Sequence, residues 1–148
     1  MTNFTIPAEK SLKSIRTVKI GATASEGGTR VNSITIGGTN ALPFHTFEGE
    51  IPHKPVIAME VFDTLPKRLP KGVIDYFADV INKPAEMAKM CVEQFGADLI
   101  SVRLDGTHPD KGNKSPDEAA EIVKEILACV GVPLIITGHA NFERNNEV

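Results

Sequence analysis

From residue 55 onward, short apolar runs alternate with segments of helical periodicity, and this alternation constrains the fold more than any other feature. Pro55–Val61, Asp98–Leu104 and Val132–Thr137 are near-continuous hydrophobic runs of strand length, the pattern of strands buried on both faces of a parallel sheet. Between the first two lies a helical segment over 84–95, with Met87, Met90, Cys91 and Phe95 on one face, Asn82 and Pro84 as start signals and Gly96 as the stop. Between the last two, Ser115-Pro116-Asp117-Glu118 opens a second helix. Ser115 is its N-cap, Pro116 its first helical residue and Glu118 the partner of a capping box. Ala119, Ile122, Val123, Ile126, Leu127 and Val130 form its apolar stripe, and Gly131 ends it. Asn141 is placed to cap a further short helix. The order β-α-β-α-β-(α) means parallel βαβ units, in an open doubly wound sheet or a (β/α)8 barrel. A barrel takes about 250 residues. With 148 residues and three such strands, four if part of an upstream hairpin joins, the expectation is about the first half of one barrel domain.

Upstream the pattern changes. Residues 1–17 form a basic segment, with Lys10, Lys13 and Arg16 against Glu9, read as solvated chain or a short helix. Residues 18–42 hold two alternating runs, Val18–Ala22 and Val31–Ile36, around the turn-forming Ser25-Glu26-Gly27-Gly28-Thr29, which predicts a β-hairpin. Residues 43–148 carry the first βα units. Prolines 43, 52, 55, 66, 70 and 84 exclude long helices early in that stretch. Residues 64–83 form a long connection with one short helix expected near 71–78.

Composition removes several function classes. At 41% hydrophobic and 24% charged the chain is ordinary globular material, long enough for a real core. No run approaches the ~18 apolar residues of a membrane helix, and the N-terminus lacks the apolar region of a secretory signal, so a cytoplasmic location without membrane partners is expected. The Asn-x-Ser/Thr matches at Asn3 and Asn113 then read as chance. A net charge of −3, a single Tyr and no Trp argue against nucleic acid as a partner. Two cysteines, Cys91 and Cys129, are too few for a disulfide framework or a cluster, and both are expected on buried or semi-buried helix faces.

Function in either architecture sits at the carboxyl ends of the parallel strands. That singles out Phe62-Asp63, Asp105-Gly106-Thr107 and Gly138-His139. Asp105-Gly106 also reads as a plain turn and Gly138 as relief of crowding. His45, Glu48, Glu50 and His53 match no zinc spacing, and Asp105, His108 and Asp110 read as part of a solvated loop over 105–114, so no metal ligand is assigned. No phosphate loop, dinucleotide fingerprint or nucleophile elbow is present, and no catalytic residue is assigned.

The residues carry a further signal. Gly27-Gly-Thr-Arg30, Gly37-Gly-Thr-Asn-Ala-Leu-Pro-Phe-His45, Phe47-Glu-Gly-Glu50, Pro55-Val-Ile-Ala-Met-Glu-Val61, Asp79-Val-Ile-Asn82, Gly96-Ala-Asp-Leu-Ile100 and Leu104-Asp-Gly106 stand in order along the chain. From about residue 14 onward they resemble the small subunit of the corrinoid iron–sulfur protein, the acetyl-CoA decarbonylase/synthase delta subunit family. The resemblance implies a TIM barrel of which this chain is the N-terminal portion. It implies a heterodimer with a large subunit that carries a 4Fe–4S cluster and a cobamide-binding domain, the corrinoid lying between that domain and the barrel mouth. It implies relay of a methyl group from methyltetrahydrofolate, through a methyltransferase, to acetyl-CoA synthase/CO dehydrogenase in the reductive acetyl-CoA pathway.

A barrel mouth over the corrin would exclude water from Co(I), a strong nucleophile, while the cofactor does the chemistry. This chain would then be a non-catalytic subunit without a general acid, base or nucleophile. Asp105, Gly106 and Thr107, with Gly138 and His139, are the expected cofactor-binding positions, through hydrogen bonds to corrin amides. No histidine is expected on the cobalt. The alternative is a pterin-binding barrel methyltransferase acting on methyltetrahydrofolate, with Asp63 and Asp105 gripping the pterin.

Overall fold

The computed structural model describes residues 4–42 and 44–148, so the Asn3 match and Pro43 lie outside the described residues. The chain divides into two compact units: residues up to 20 with 34–56, and residues 21–33 with 57–148.

In the first unit, β1 (Val18–Ile20) pairs antiparallel with β2 (Ile34–Ile36), Val18 opposite Ile36 and Ile20 opposite Ile34. The expected hairpin is therefore present but shorter than its two alternating runs. Ala22 and Val31 leave the ladder because residues 21–33 belong to the second unit. There Ala24–Glu26 forms a 3-10 turn, and Thr23 bridges Arg30. No helix forms over residues 4–17, which are extended and exposed.

The second unit holds the parallel sheet. β3 (Ala58–Phe62), β4 (Leu99–Arg103) and β5 (Leu134–Thr137) lie side by side in chain order, Ala58 beside Leu99 and Ile100 beside Leu134. Only the middle strand is buried in the manner of a two-face strand; in β3 Val61 alone is buried and Ala58 is exposed. The reason is position, since β3 and β5 are the outer strands and no closed barrel is present among the described residues. β3 begins three residues later than the apolar run. Pro55 has no N–H to give, and the Ile57 N–H is taken by the Asp98 carboxylate at 2.9 Å.

The connections are helical where periodicity places them: α1 (Lys71–Tyr76), α2 (Pro84–Glu93) and α3 (Pro116–Cys129), with α4 (Phe142–Asn145) after the last strand. The capping box forms as predicted: Glu118 N–H donates to Ser115 Oγ at 3.2 Å, and Ser115 N–H donates to the Glu118 carboxylate at 2.7 Å. The Ser115 backbone and hydroxyl contacts hold the Glu118 carboxyl below the usual range. Asn141 caps α4 through Arg144 N–H at 3.0 Å. Met87 and Cys91 of α2 pack with Val61, Ile100, Val102 and Ile126 into one core. Phe95 does not join that face; it lies beyond the helix, 40% exposed, against the rings of Tyr76 and Phe77.

Two expectations about α3 fail together. Gly131 does not end the helix in a left-handed turn; Val130 caps it in extended conformation and Gly131 has ordinary φ. The orphan carbonyls are met instead by Arg30, which donates to Val130 O at 2.7 Å and Leu127 O at 3.1 Å, and Val31 N–H donates to Gly131 O at 2.9 Å. Gly131 is needed for close approach, since a Cβ there would stand 2.5 Å from Val31 Cγ2. Cys129, expected to be buried or semi-buried, is exposed, because it falls off the apolar stripe at the last turn.

Candidate functional site

The carboxyl ends of β3, β4 and β5 bring Asp63, Asp105–His108 and Gly138–His139 into one neighbourhood. The stretch after β4 is a solvated loop only over residues 109–113, which are exposed; its first three residues are not. Asp105–Thr107 is a 3-10 turn with all three residues buried. Polar side chains can be buried there because each finds a partner. Thr107 Oγ1 donates to Leu104 O at 2.8 Å. Gly106 N–H donates to both carboxylate oxygens of Asp63, at 2.9 and 3.0 Å. Lys114 Nζ closes that group, donating to Asp63 O at 2.7 Å and reaching its Oδ2 at 3.3 Å. Gly106 admits no larger residue, because a Cβ would fall 2.4 Å from Asp63 Oδ2 and from Thr64 Oγ1.

Asp105 has a different environment. Its side chain is 6% exposed, with Lys111 Nζ 2.7 Å from Oδ2 and Arg103 Nε 3.3 Å from Oδ1. Burial alone would raise its carboxyl, but the Lys111 hydrogen bond and the Arg103 and Lys111 charges outweigh burial and hold it below the usual carboxylate range. The Arg103 contact is ionic without hydrogen-bond alignment, so Oδ1 and Arg103 Nε are both buried with no hydrogen-bond partner.

His139 packs edge-on against His108, ring centres 4.8 Å apart. Its Nδ1 accepts from Asn141 N–H at 3.2 Å, which assigns the ring proton to Nε2. That Nε2 is buried and has no partner. Burial first, and then the neighbouring His108, push the His139 pKa down. Asn145 holds the backbone of His139, accepting from its N–H at 3.2 Å and donating to its C=O, and lies against Gly138. Arg144 ties α4 to the loop between β4 and α3, donating to Lys114 O at 2.8 Å.

The predicted positions thus sort by availability. Gly106 and Thr107 are engaged in building the turn. Gly138 is exposed and makes room for Asn145. His139 Nε2 is buried with nothing in the protein to meet it, whereas Asp105 Oδ1 is buried with only the unaligned ionic contact to Arg103 Nε at 3.3 Å. Asp63, the other carboxylate of the pterin alternative, has a side chain 0% exposed and both oxygens engaged. Sequence reasoning missed Lys111 and Lys114, although both stand within ten residues of Asp105 in the stretch taken for solvated loop. It also missed Arg144 and Asn145, which only the turn into α4 brings back to the strand ends. His108, weighed only as a metal ligand, is the ring partner of His139. His45 pairs with Glu48 at 3.0 Å, and no group of three or more His, Cys, Asp or Glu side chains is placed to hold a metal among the described residues.

The family model described as CO dehydrogenase/acetyl-CoA synthase delta subunit matches residues 17–148. The acetyl-CoA decarbonylase/synthase complex subunit delta of Archaeoglobus fulgidus is 41% identical over 134 residues, covering 90% of this chain and 29% of the relative. The subunit of the same name from Methanocaldococcus jannaschii is 40% identical over 139 residues, covering 94% of this chain and 34% of the relative. That from Methanothermobacter thermautotrophicus is 36% identical over 147 residues, covering 95% and 36%. The chain therefore spans about a third of the length of these relatives.

Proposed function

We infer that this chain, which belongs to the CO dehydrogenase/acetyl-CoA synthase delta subunit family, is part of an acetyl-CoA decarbonylase/synthase complex, where it helps to cover the corrinoid of a methyl carrier. In this reading its three strands belong to a (β/α)8 barrel whose mouth faces the cofactor. Its partner is the large subunit with the 4Fe–4S cluster. The pair passes a methyl group from methyltetrahydrofolate, through a methyltransferase, to acetyl-CoA synthase/CO dehydrogenase.

The observation that supports this lies at the strand ends, where His139 Nε2 is buried with no partner and Asp105 Oδ1 is buried with only its unaligned contact to Arg103 Nε at 3.3 Å. A buried polar group without a partner costs roughly 1–3 kcal/mol, so such atoms point to a ligand that meets them. One is an acceptor and the other, by its tautomer, a donor. The amide side chains on a corrin rim offer both an N–H2 and a C=O, so these residues fit the group. Asp105 would accept from an amide N–H2 and His139 would donate to an amide C=O. The corrinoid, when bound, supplies the cobalt that carries the methyl group. The protein residues bind and orient, and the buried floor formed by Leu104, Gly106 and Thr107 keeps water from the covered face. No proton transfer is asked of them. The lowered His139 pKa keeps the ring neutral, as an amide-facing donor needs to be. The pterin alternative loses one of its two carboxylates, because Asp63 is closed off by Gly106 and Lys114.

Visible absorption of the intact complex purified without oxygen tests the reading. Corrinoid bands are expected, and Asp105→Asn with His139→Gln should shift them or lower corrinoid retention while the subunits stay associated. A complex that contains this chain but no corrinoid would overturn it.

A further inference from the structure

A cleft of about 600 Å³ opens at the carboxyl ends of β3 and β4, between the loop 64–68 on one side and Asp105, His108 and Lys111 on the other. Its buried acidic group is already answered: Asp105 faces Lys111 at 2.7 Å and Arg103 at 3.3 Å. Asp110, 91% exposed and 3.9 Å from His108, is a carboxylate that the two remaining cations outnumber. Those two cations are unpaired. Lys67 and Arg68 are exposed and make no ion pair or side-chain hydrogen bond among the described residues. The main-chain N–H groups of Thr64, Leu65, Lys67 and Arg68 likewise reach no acceptor among the described residues. The wall is therefore rich in free donors and positive charge. That local excess stands against a chain whose net charge is −3, so it does not reflect basic composition.

We propose that this cleft binds the phosphate group of a phosphate ester, held by Arg68 and Lys67 and by the free amides of the 64–68 loop. A guanidinium fork matches two phosphate oxygens, and backbone amides with no acceptor in the protein add donors beside it. The volume falls within the ~300–1,000 Å³ of small-molecule sites and far exceeds one phosphate, so the ligand carries a larger organic part. Leu65 and Pro66 supply the apolar wall for that part. Two sources present this chemistry: the phosphodiester in the nucleotide loop of a bound cobamide, or a separate phosphorylated metabolite. The proposal does not rest on corrinoid binding, because Lys67 and Arg68 line the cleft independently of it.

Titration of the isotope-labelled full chain with inorganic phosphate, at ionic strength held constant with chloride, tests this by amide NMR. Saturable shifts confined to residues 64–68 and 105–111 are expected. The double substitution Lys67→Ala, Arg68→Ala should weaken binding by about tenfold or more, equivalent to roughly 1.4 kcal/mol. Both side chains are exposed, so the variant's remaining spectrum should match the parent's. Shifts that never saturate, that scatter over the surface, or that persist undiminished in the double variant would overturn the proposal. Two corrinoids identify the source. If cobalamin binds more tightly than cobinamide, which lacks the phosphodiester, and the double variant erases that difference, the phosphate is the cofactor's own. If the two corrinoids bind alike while inorganic phosphate still binds, it belongs to a separate metabolite. Phosphate binding with no corrinoid binding would sustain this site as one for a separate metabolite and leave the corrinoid reading to the test on the intact complex.

Discussion

The Asp63 carboxylate grips the main-chain N–H of Gly106 with both oxygens, at 2.9 and 3.0 Å, across 43 residues of sequence. This contact joins the end of β3 to the turn after β4 that carries Asp105. Replacing Asp63 by Ala would leave the Gly106 N–H without its acceptor and the Lys114 ammonium without its counter-charge, with only Asp63 O and Thr64 Oγ1 left to it. The expected loss is about 3 kcal/mol, since breaking a buried pair strands its other half. Asp63→Asn keeps an acceptor for Gly106 and should lose less. Gly106→Ala should be as damaging as Asp63→Ala, because its Cβ would stand 2.4 Å from the same carboxylate. Urea unfolding of the three variants checks the order.

Acid should destabilise the protein in two steps. His139 has its folded pKa lowered, so between that value and the unfolded value of about 6.5 the unfolded chain binds more protons and stability falls as the pH falls. Asp105 and Glu118 also have their folded pKa values lowered. Their contributions are complete above the unfolded values of about 3.9 and 4.3 and are lost as pH falls through the folded values. Stability measured from pH 8 to pH 3 should therefore decline first from about pH 6.5, and again below about pH 4. His139→Gln should remove the first decline and leave the second; Asp105→Asn should leave the first and reduce the second, Glu118 keeping the rest.

Arg30 should stabilise α3 from a hundred residues away. Its two donations to Val130 O and Leu127 O take the place of a glycine cap, and its charge lies at the negative end of the helix dipole. Arg30→Ala should cost about 2 kcal/mol. Arg30→Lys should recover only part, because an ammonium cannot fork to two carbonyls as a guanidinium does. Hydrogen exchange at the amides of the last turn of α3, together with the melting temperature, reads both effects.

The periodic parts of this fold were legible in the sequence, and the site's chemistry was not. The α3 stripe and its Ser115–Glu118 box, the apolar β4 run and the Asn141 cap depend on neighbours close in the chain, so local pattern predicts them. The same logic failed at 105–107, where Asp-Gly-Thr reads as exposed turn chemistry. Its burial depends on Asp63 and Lys114, which approach from 43 residues before Gly106 and from the following loop. The cap of α3 failed in the same way: Gly131 carried the local signal, while the actual partner, Arg30, lies in a loop read only as part of a hairpin. Strand-end topology nonetheless selected Asp105 and His139 without any motif, because parallel sheets place open valences at their carboxyl ends.

The two thiols should report on this packing directly. Cys129 is exposed at the end of α3, whereas Cys91 is fully buried in the core and burial pushes its thiol pKa up. A thiolate reagent should therefore label one cysteine per native chain quickly and the second only through opening of the structure. In the regime where reclosing outruns labelling, the slow rate follows the population of the open form. Arg30→Ala should then speed Cys91 labelling by about tenfold for each 1.4 kcal/mol of stability it removes, with Cys129 unchanged. Mass spectrometry of labelled peptides separates the two sites. Rapid labelling of Cys91 in the native parent chain would show that the α2–β4 core is not closed as described.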